Sequence, residues 1–175
     1  EELRGQRGKE AALELFIRRL EAKQVLVSRS VWGHMPQNPK NASFSGMTIR
    51  DPKVPYIFLA GGDMEKGREL PGRTLFTLTL LTVMIARRRF QPMTWDSKAV
   101  STDAAIEFHI ASAMLLPKHA FETFDVSTLA SIKRAAEHFK VTPSAAVVRA
   151  LRLGRITQDS ANLHLRTLRA EFQAI

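Results

Sequence analysis

The sequence predicts a mostly helical α+β fold with a small β-sheet and a C-terminal tail that resembles a helix-turn-helix. The β-prone runs are confined to residues 25–63, and everything beyond Pro71 has the apolar spacing of helices. A length of 175 residues, 45% of them hydrophobic, suits one domain with a substantial core. We therefore expect a single domain over residues 1–175, divided into a first helix (8–24), a strand layer (25–63), central helices (71–122) and a helical tail (126–175).

The first third of the chain predicts one helix followed by strands. Residues 9–23 are strong helix formers, with apolar residues on one face at Leu13, Phe16, Ile17 and Leu20. Residues 25–27 predict a short strand, and residues 33–43 predict a loop because Pro, Asn and Gly interrupt regular structure. Residues 44–49 and 54–59 predict a hairpin or a close strand pair, and residues 61–63 end the sheet.

The central region predicts two helices. Residues 73–89 are apolar around most of the helix circumference, which is typical of a helix in the middle of a fold. The apolar stretch 75–86 is interrupted by threonines and is shorter than the roughly 20 residues that span a bilayer. We therefore expect a core helix and no membrane partner. Residues 103–116 predict the second helix, with Thr102 or Asp103 as N-cap and Pro117 as its stop.

Arg87, Arg88 and Arg89 follow the first of these helices directly. Two interpretations remain open. Cations in a last turn complement the helix dipole, which favours a solvated C-terminal cap. The alternative is a phosphate-binding role.

The tail predicts three helices. Residues 127–139 and 143–153 are separated by a turn, with Thr142 as N-cap and Pro143 at the first helical position. A last helix over residues 159–172 has one apolar face whose spacing alternates four, three and four, as in a packing seam: Ala161, Leu165, Leu168 and Phe172. By default this seam covers the domain's own core, and the alternative is docking to a partner helix.

Composition points to acidic partners and away from common catalytic sites. The chain has 26 Lys+Arg against 17 Asp+Glu, a net charge of +9, which suits nucleic acid, an acidic protein face or an anionic membrane surface. Cysteine is absent, which excludes disulfides, thiolate metal sites and cysteine nucleophiles. No Gly-x-Ser-x-Gly elbow or Gly-rich phosphate loop occurs. The five histidines are too far apart along the chain to share a helical face: His34, His109, His119, His138 and His164.

We therefore predict no catalytic residue, no bound metal and no cofactor, although convergence of histidines in space stays open. The sequence starts at Glu1 without an initiator Met or a signal pattern, and whether an N-terminal module precedes it is left open. We expect a cytoplasmic protein and leave its oligomeric state open.

From residue 25 to residue 84 the sequence resembles the ImmA/IrrE-type zinc-peptidase family, in the branch found with XRE repressors and toxin–antitoxin pairs. The resemblance rests on the order of landmarks: Gly33, Asn38-Pro39, Phe44, Gly46, Asp51, Pro55, the run Tyr56-Ile57-Phe58-Leu59, Asp63 and Phe76-Thr77-Leu78. It extends to Met114-Leu115-Leu116-Pro117, Phe121 and much of the tail. The resemblance implies a zincin-like domain whose residues 71–122 are the helices of a former metal site.

The sequence departs from the resembled family at the chemistry. The family continues after the Phe-Thr-Leu run as His-Glu-x-x-His, two imidazoles and a general base on one helix. Here Leu80 and Met84 stand at the histidine positions and Leu81 at the base. The acidic third ligand would fall around residues 104–106, and both Ala104 and Ile106 are apolar. We expect these five residues to line the degenerate site as packing, since leucine has no lone pair and methionine is a poor zinc ligand.

Three functions follow as hypotheses. The first is a catalytically inactive, metallopeptidase-like regulator that binds a protein partner, either an XRE-type repressor or a cognate toxin. The alternative to this hypothesis is that the chain is the product of a decaying gene fragment and has no binding role. The second is nucleic-acid binding through the basic tail, by Lys133, Arg134, Lys140, Arg149, Arg152 and Arg155. The third is a residual hydrolase with an unrecognised site.

Overall fold

The computed structural model describes residues 1–30, 45–51, 53–60, 69–93 and 104–173, with the side chains of residues 104 and 105 excepted. Within these ranges seven helices and four short strands form an α+β fold, as predicted. In chain order they are α1 (Lys9–Glu21), β1 (Leu26–Arg29), β2 (Gly46–Ile49), β3 (Tyr56–Leu59), α2 (Pro71–Ala86), β4 (Pro92–Met93), α3 (Ala104–Leu115), α4 (Lys118–Phe121), α5 (Leu129–His138), α6 (Pro143–Arg152) and α7 (Gln158–Gln173).

The four strands form one mixed sheet in the order β1-β3-β2-β4. Strand β1 is parallel to β3, and β2 is antiparallel to both β3 and β4. The predicted strand pair over residues 44–59 is therefore confirmed as β2 and β3. The prediction that everything beyond Pro71 is helical was wrong at β4, whose two residues pair with Gly46 and Met47. A two-residue strand has no periodicity of its own, and only the neighbouring strand reveals it.

The turn between β2 and β3 is closed by Asp51. Its Oδ1 accepts hydrogen bonds from the backbone N–H groups of Val54 (2.9 Å) and Lys53 (2.8 Å). These two donors stabilise the ionised carboxylate and lower the pKa of Asp51. The Asp therefore has a local role in the chain reversal. The predicted loop at residues 33–43 and the sheet end at residues 61–63 lie outside the described residues.

Helix α2 forms the centre of the core, as predicted. It packs against α1, α3 and the strands β2 and β3, and Leu75 and Leu78 are fully buried. Two of the threonines that interrupt its apolar run are satisfied within the helix: Thr79 and Thr82 each donate a 2.8 Å hydrogen bond to the carbonyl four residues earlier. A buried hydroxyl with such a partner costs little, so the helix stays in the core.

Helix α6 begins where its cap predicts, and α5 carries a cap that was not predicted. Thr142 caps α6 by accepting from the Ala145 N–H at 3.3 Å, with Pro143 as the first helical residue. Thr128 and Ser131 form a reciprocal capping box on α5. Helix α4 was not predicted, because Pro117 ends α3 and only four residues follow in this turn.

The apolar seam of α7 mostly covers the domain's own core. Ala161 is fully buried, and Leu165 and Leu168 are partly buried against the core cluster. Phe172 is 61% exposed. The default interpretation thus fits the first three residues of the seam, and only Phe172 is left for a partner.

Candidate functional site

The three α2 residues at the resembled zinc positions belong to the core. Leu80 is 1% exposed, Leu81 is 0% and Met84 is 4%. Strand β2 lies directly on Leu81: a Cβ added to Gly46 would lie 2.8 Å from Leu81 Cδ1 and 2.6 Å from the Phe58 carbonyl oxygen. Leu81 therefore fills space between the helix and the sheet, and all three side chains are buried rather than exposed in an open groove.

Helix α3 presents a different residue to α2 than the sequence predicted. Ile106, expected to line the degenerate site, is 53% exposed, whereas Glu107 is only 2% exposed. The prediction that Ile106 is buried was wrong, because the next residue of the helix, Glu107, is turned inward instead. The side chain of Ala104 lies outside the described residues. Because α3 is apolar on nearly every side, its composition does not mark the buried face. An acidic residue thus faces α2 after all.

Glu107 is held by the arginines that follow α2. Its Oε1 lies 3.0 Å from Nη1 of Arg87 and 3.2 Å from Nε of Arg89. Neither carboxylate oxygen has an aligned hydrogen bond, so the attraction is chiefly Coulombic. Both arginine side chains are about one third exposed. The interpretation of this run as a merely solvated cap is therefore incomplete: two of the three arginines neutralise a buried carboxylate.

Arg88, between these two, has a different position. Its backbone is left-handed, with φ of 56°, immediately beyond the C-cap of α2. Its side chain is exposed and forms no ion pair with any described residue. The left-handed residue separates Arg87 from Arg89 in a turn that allows both to reach Glu107.

The cluster of Glu107, Arg87 and Arg89 is a poor site for a metal cation, because two guanidinium groups already compensate the single negative charge. Within the described ranges, no group of three His, Asp or Glu side chains could hold a metal. Four of the five histidines are described, and each lies on a separate helix: His109 on α3, His119 on α4, His138 on α5 and His164 on α7. His34 lies outside the described residues.

The basic residues proposed for nucleic-acid contact fall into two groups. Lys133 pairs with Glu171 at 2.7 Å, and Arg155 donates to the carbonyls of Glu122 and Phe124, both at 3.1 Å. Arg134 and Arg152 are exposed and Lys140 is partly exposed. These five remain accessible to solvent to different degrees.

Arg149 is the exception, and its assignment as a nucleic-acid contact is corrected by its burial. It is 4% exposed, and its Nε donates a 2.9 Å hydrogen bond to the Leu116 carbonyl at the end of α3. Burial lowers the pKa of Arg149 from its ordinary value, and the nearby Arg152 lowers it further. A helix face with alternating Arg and apolar residues does not reveal from sequence which cation turns inward. Arg149 ties α6 to the central helices.

We expect Arg149→Ala to lower the free energy of unfolding by about 1–3 kcal/mol, because the Leu116 carbonyl loses its donor and the core loses packing. Urea denaturation followed by circular dichroism measures this. The matched control is Arg152→Ala, three residues further along α6 and exposed, which should change stability by no more than about 0.5 kcal/mol. Equal losses in both variants would contradict a structural role specific to Arg149.

Comparison with known proteins gives no relative: no family model and no curated protein matches the sequence, and no solved structure matches the fold. None of the described helices is both long enough and apolar enough to cross a bilayer.

Sequence reasoning missed the Glu107 cluster. Two signals could have found it: a single acidic residue within an otherwise apolar helix, and a run of arginines after the helix expected to lie beside it. A lone carboxylate among apolar residues needs a compensating cation if it is buried.

Proposed function

We propose that the protein is a catalytically inactive, metallopeptidase-like regulator that acts by binding a protein partner, either an XRE-type repressor or a cognate toxin, in the cytoplasm. The observation that supports it is the burial of Leu80, Leu81 and Met84 at the positions where the resembled enzymes carry two ligands and a base. A zinc peptidase needs an open coordination position and an activated water at that point. Close-packed apolar side chains provide neither.

The acid on α3 supports the same proposal. In a zinc peptidase of the resembled kind, a carboxylate on the second helix would serve as a metal ligand. Here the charge of Glu107 is paired with Arg87 and Arg89. A buried carboxylate that lost its metal would be costly, and two arginines offset that cost within the chain's own structure. The fold then remains stable as a scaffold without a cofactor.

The proposal predicts that purified, dialysed protein contains less than about 0.1 zinc per chain, because no described cluster can retain a metal at catalytic affinity. Elemental analysis by mass spectrometry measures it. A peptidase assay on unfolded casein, with and without added Zn²⁺, should remain at the level of the buffer. Stoichiometric zinc after dialysis, or zinc-dependent cleavage, would overturn the proposed function.

The alternative function is nucleic-acid binding through the tail. The net charge of +9 and the exposed Arg134 and Arg152 favour it. The burial of Arg149 removes one contact of the six. A titration of duplex DNA at several salt concentrations separates the two functions, because phosphate contacts give an affinity that falls steeply with salt.

A further inference from the structure

Arg149 has a guanidinium group that is buried but only partly bonded. Its Nε donates to the Leu116 carbonyl at 2.9 Å, and this is the one hydrogen bond that the side chain makes within the described chain. A guanidinium carries five N–H donors, so the donors of the two terminal amino groups are left over. Neither amino group is fully enclosed, because the only fully enclosed, unpaired side-chain atoms among the described residues are the Glu107 oxygens. The fold therefore fixes Arg149 and leaves its terminal donors open to a ligand.

The charge of Arg149 also lacks a counter-ion. Glu122 acts on it through space only, since the two residues form no ion pair and the Glu122 carboxylate instead lies 3.9 Å from Lys118. Burial lowers the pKa of Arg149, and repulsion from Arg152 lowers it further. A buried cation without a partner is costly, and an external anion would supply the missing charge.

Two further arginines lie on the same side of α6 or just beyond it. Arg152, three residues after Arg149, is exposed and forms no hydrogen bond or ion pair within the described chain. Residues three apart on a helix are neighbours, which agrees with the repulsion between the two guanidinium groups. Arg155 binds the backbone carbonyls of Glu122 and Phe124, both at 3.1 Å, and no carboxylate. None of the three charges is therefore compensated by an ion pair among the described residues.

We propose that Arg149 and Arg152 bind one small oxyanion with two negative charges, of the class of phosphate and phosphate monoesters. The paired amino groups of a guanidinium match two oxygens of such an anion, and Arg152 supplies the second cation. The ligand is small because Arg149 is only 4% exposed, so a free ion reaches it more readily than a duplex or a protein surface does. This site goes beyond the proposed function, which requires no small ligand.

Calorimetric titration of the full chain with inorganic phosphate, at constant ionic strength, tests the site. We expect a saturable isotherm with one site per chain and a Kd of about 0.1–1 mM, since so small an ion gains limited affinity. Acetate carries a single charge and should bind about tenfold more weakly or less. The absence of saturable phosphate binding, or equal affinity for acetate, would overturn the proposal.

Arg152→Gln should weaken phosphate binding by about tenfold, because a charge-assisted donor is lost. Arg152 is exposed, so the variant is expected to stay folded, which circular dichroism checks. The matched control is Arg18→Gln, which removes the same charge at an exposed arginine of α1 without an ion pair in the described chain. It should leave the affinity unchanged within about twofold. Equal losses in the two variants would reduce the effect to net charge and overturn the site.

Two other variants separate contact with the anion from a structural role. Arg149→Lys keeps the cation but loses the planar pair of amino groups, so phosphate affinity should fall by about tenfold in the folded protein. Glu122→Gln should tighten phosphate binding by about threefold, because the acid that acts on Arg149 also repels the anion. A purely structural cluster gives no reason for tighter binding. Unchanged affinity in both variants would contradict the site.

A duplex oligonucleotide distinguishes a small ion from the phosphates of nucleic acid. Its affinity is measured by fluorescence anisotropy for the wild type, Arg152→Gln and Arg18→Gln. If free phosphate does not bind, and Arg152→Gln alone weakens the duplex, then Arg152 contacts nucleic acid and the small-ion site is wrong. If free phosphate binds with the expected dependence on Arg152, and the duplex affinity is the same in all three proteins, the small-ion site is supported.

Discussion

The double substitution Arg87→Met and Arg89→Met is expected to lower the free energy of unfolding by about 3 kcal/mol, because it leaves a buried carboxylate without a compensating charge. Glu107 is 2% exposed, and both guanidinium groups lie within 3.2 Å of its Oε1. The expected loss is at the lower end of the range for buried pairs, since each arginine side chain is about one third exposed and partly screened by water. Urea denaturation at neutral pH measures the difference.

Two further variants make this result specific. Adding Glu107→Leu to the double variant should recover most of the lost stability, because a buried ion cluster can often be replaced by apolar side chains at little cost. Arg88→Met, in the same turn but without an ion pair in the described chain, should change stability by no more than about 0.5 kcal/mol. If the triple variant were as unstable as the double variant, the arginines would matter for packing and not for the charge of Glu107.

The burial of Glu107 shows which face of α3 is turned toward α2. Successive residues of a helix are about 100° apart, so a carboxylate held toward α2 turns the preceding residue away from it. Ile106 is accordingly exposed, and Ile110 and Met114 follow on the same side at four-residue intervals. The Glu107 cluster and this exposed face therefore lie on different sides of α3.

Much of the fold could be predicted from the sequence, because local signals and tertiary packing agree. Residues 127–153 are one example: Thr142 and Pro143 specify the start of α6, and the structure begins the helix there. The central position of α2 is another, since a helix that is apolar around its circumference is stable only when covered on several sides. In both cases no alternative arrangement competes with the local preference.

The candidate site could be predicted only in part. Burial of Leu80, Leu81 and Met84 agrees with the expected conversion of a site into packing. The phase of α3 could not be predicted, because an apolar helix gives no amphipathic signal and Glu107 is buried only through its pairing with residues of another element. Arg149 poses the same problem, since its partner is a backbone carbonyl 33 residues away. Polar pairs between residues far apart in the sequence cannot be predicted from a local sequence pattern.

Leu81 is the core position at which substitution should have the largest effect. Leu81→Ala is expected to cost about 3 kcal/mol, because it leaves a cavity between α2 and strand β2, where even a Cβ added to Gly46 would lie only 2.8 Å from Leu81 Cδ1. Leu81→Glu should abolish cooperative folding, since Leu81 is fully buried and the carboxylate would have no partner there. The cost of burying it is expected to exceed the free energy of unfolding, which is usually about 5–15 kcal/mol. Leu163→Ala, at an exposed position, should be neutral within about 0.5 kcal/mol.

The combined variant Leu80→His, Leu81→Glu and Met84→His recreates the ligand and base pattern of the resembled family, and it tests whether packing has replaced the site. We expect it to be unfolded by circular dichroism both with and without Zn²⁺. Three polar groups would enter a close-packed core, and Glu107, the buried acid of α3, is already paired with Arg87 and Arg89. Cooperative folding with one bound zinc would contradict this expectation, because it would mean that the sheet and α3 still leave room for a tetrahedral metal.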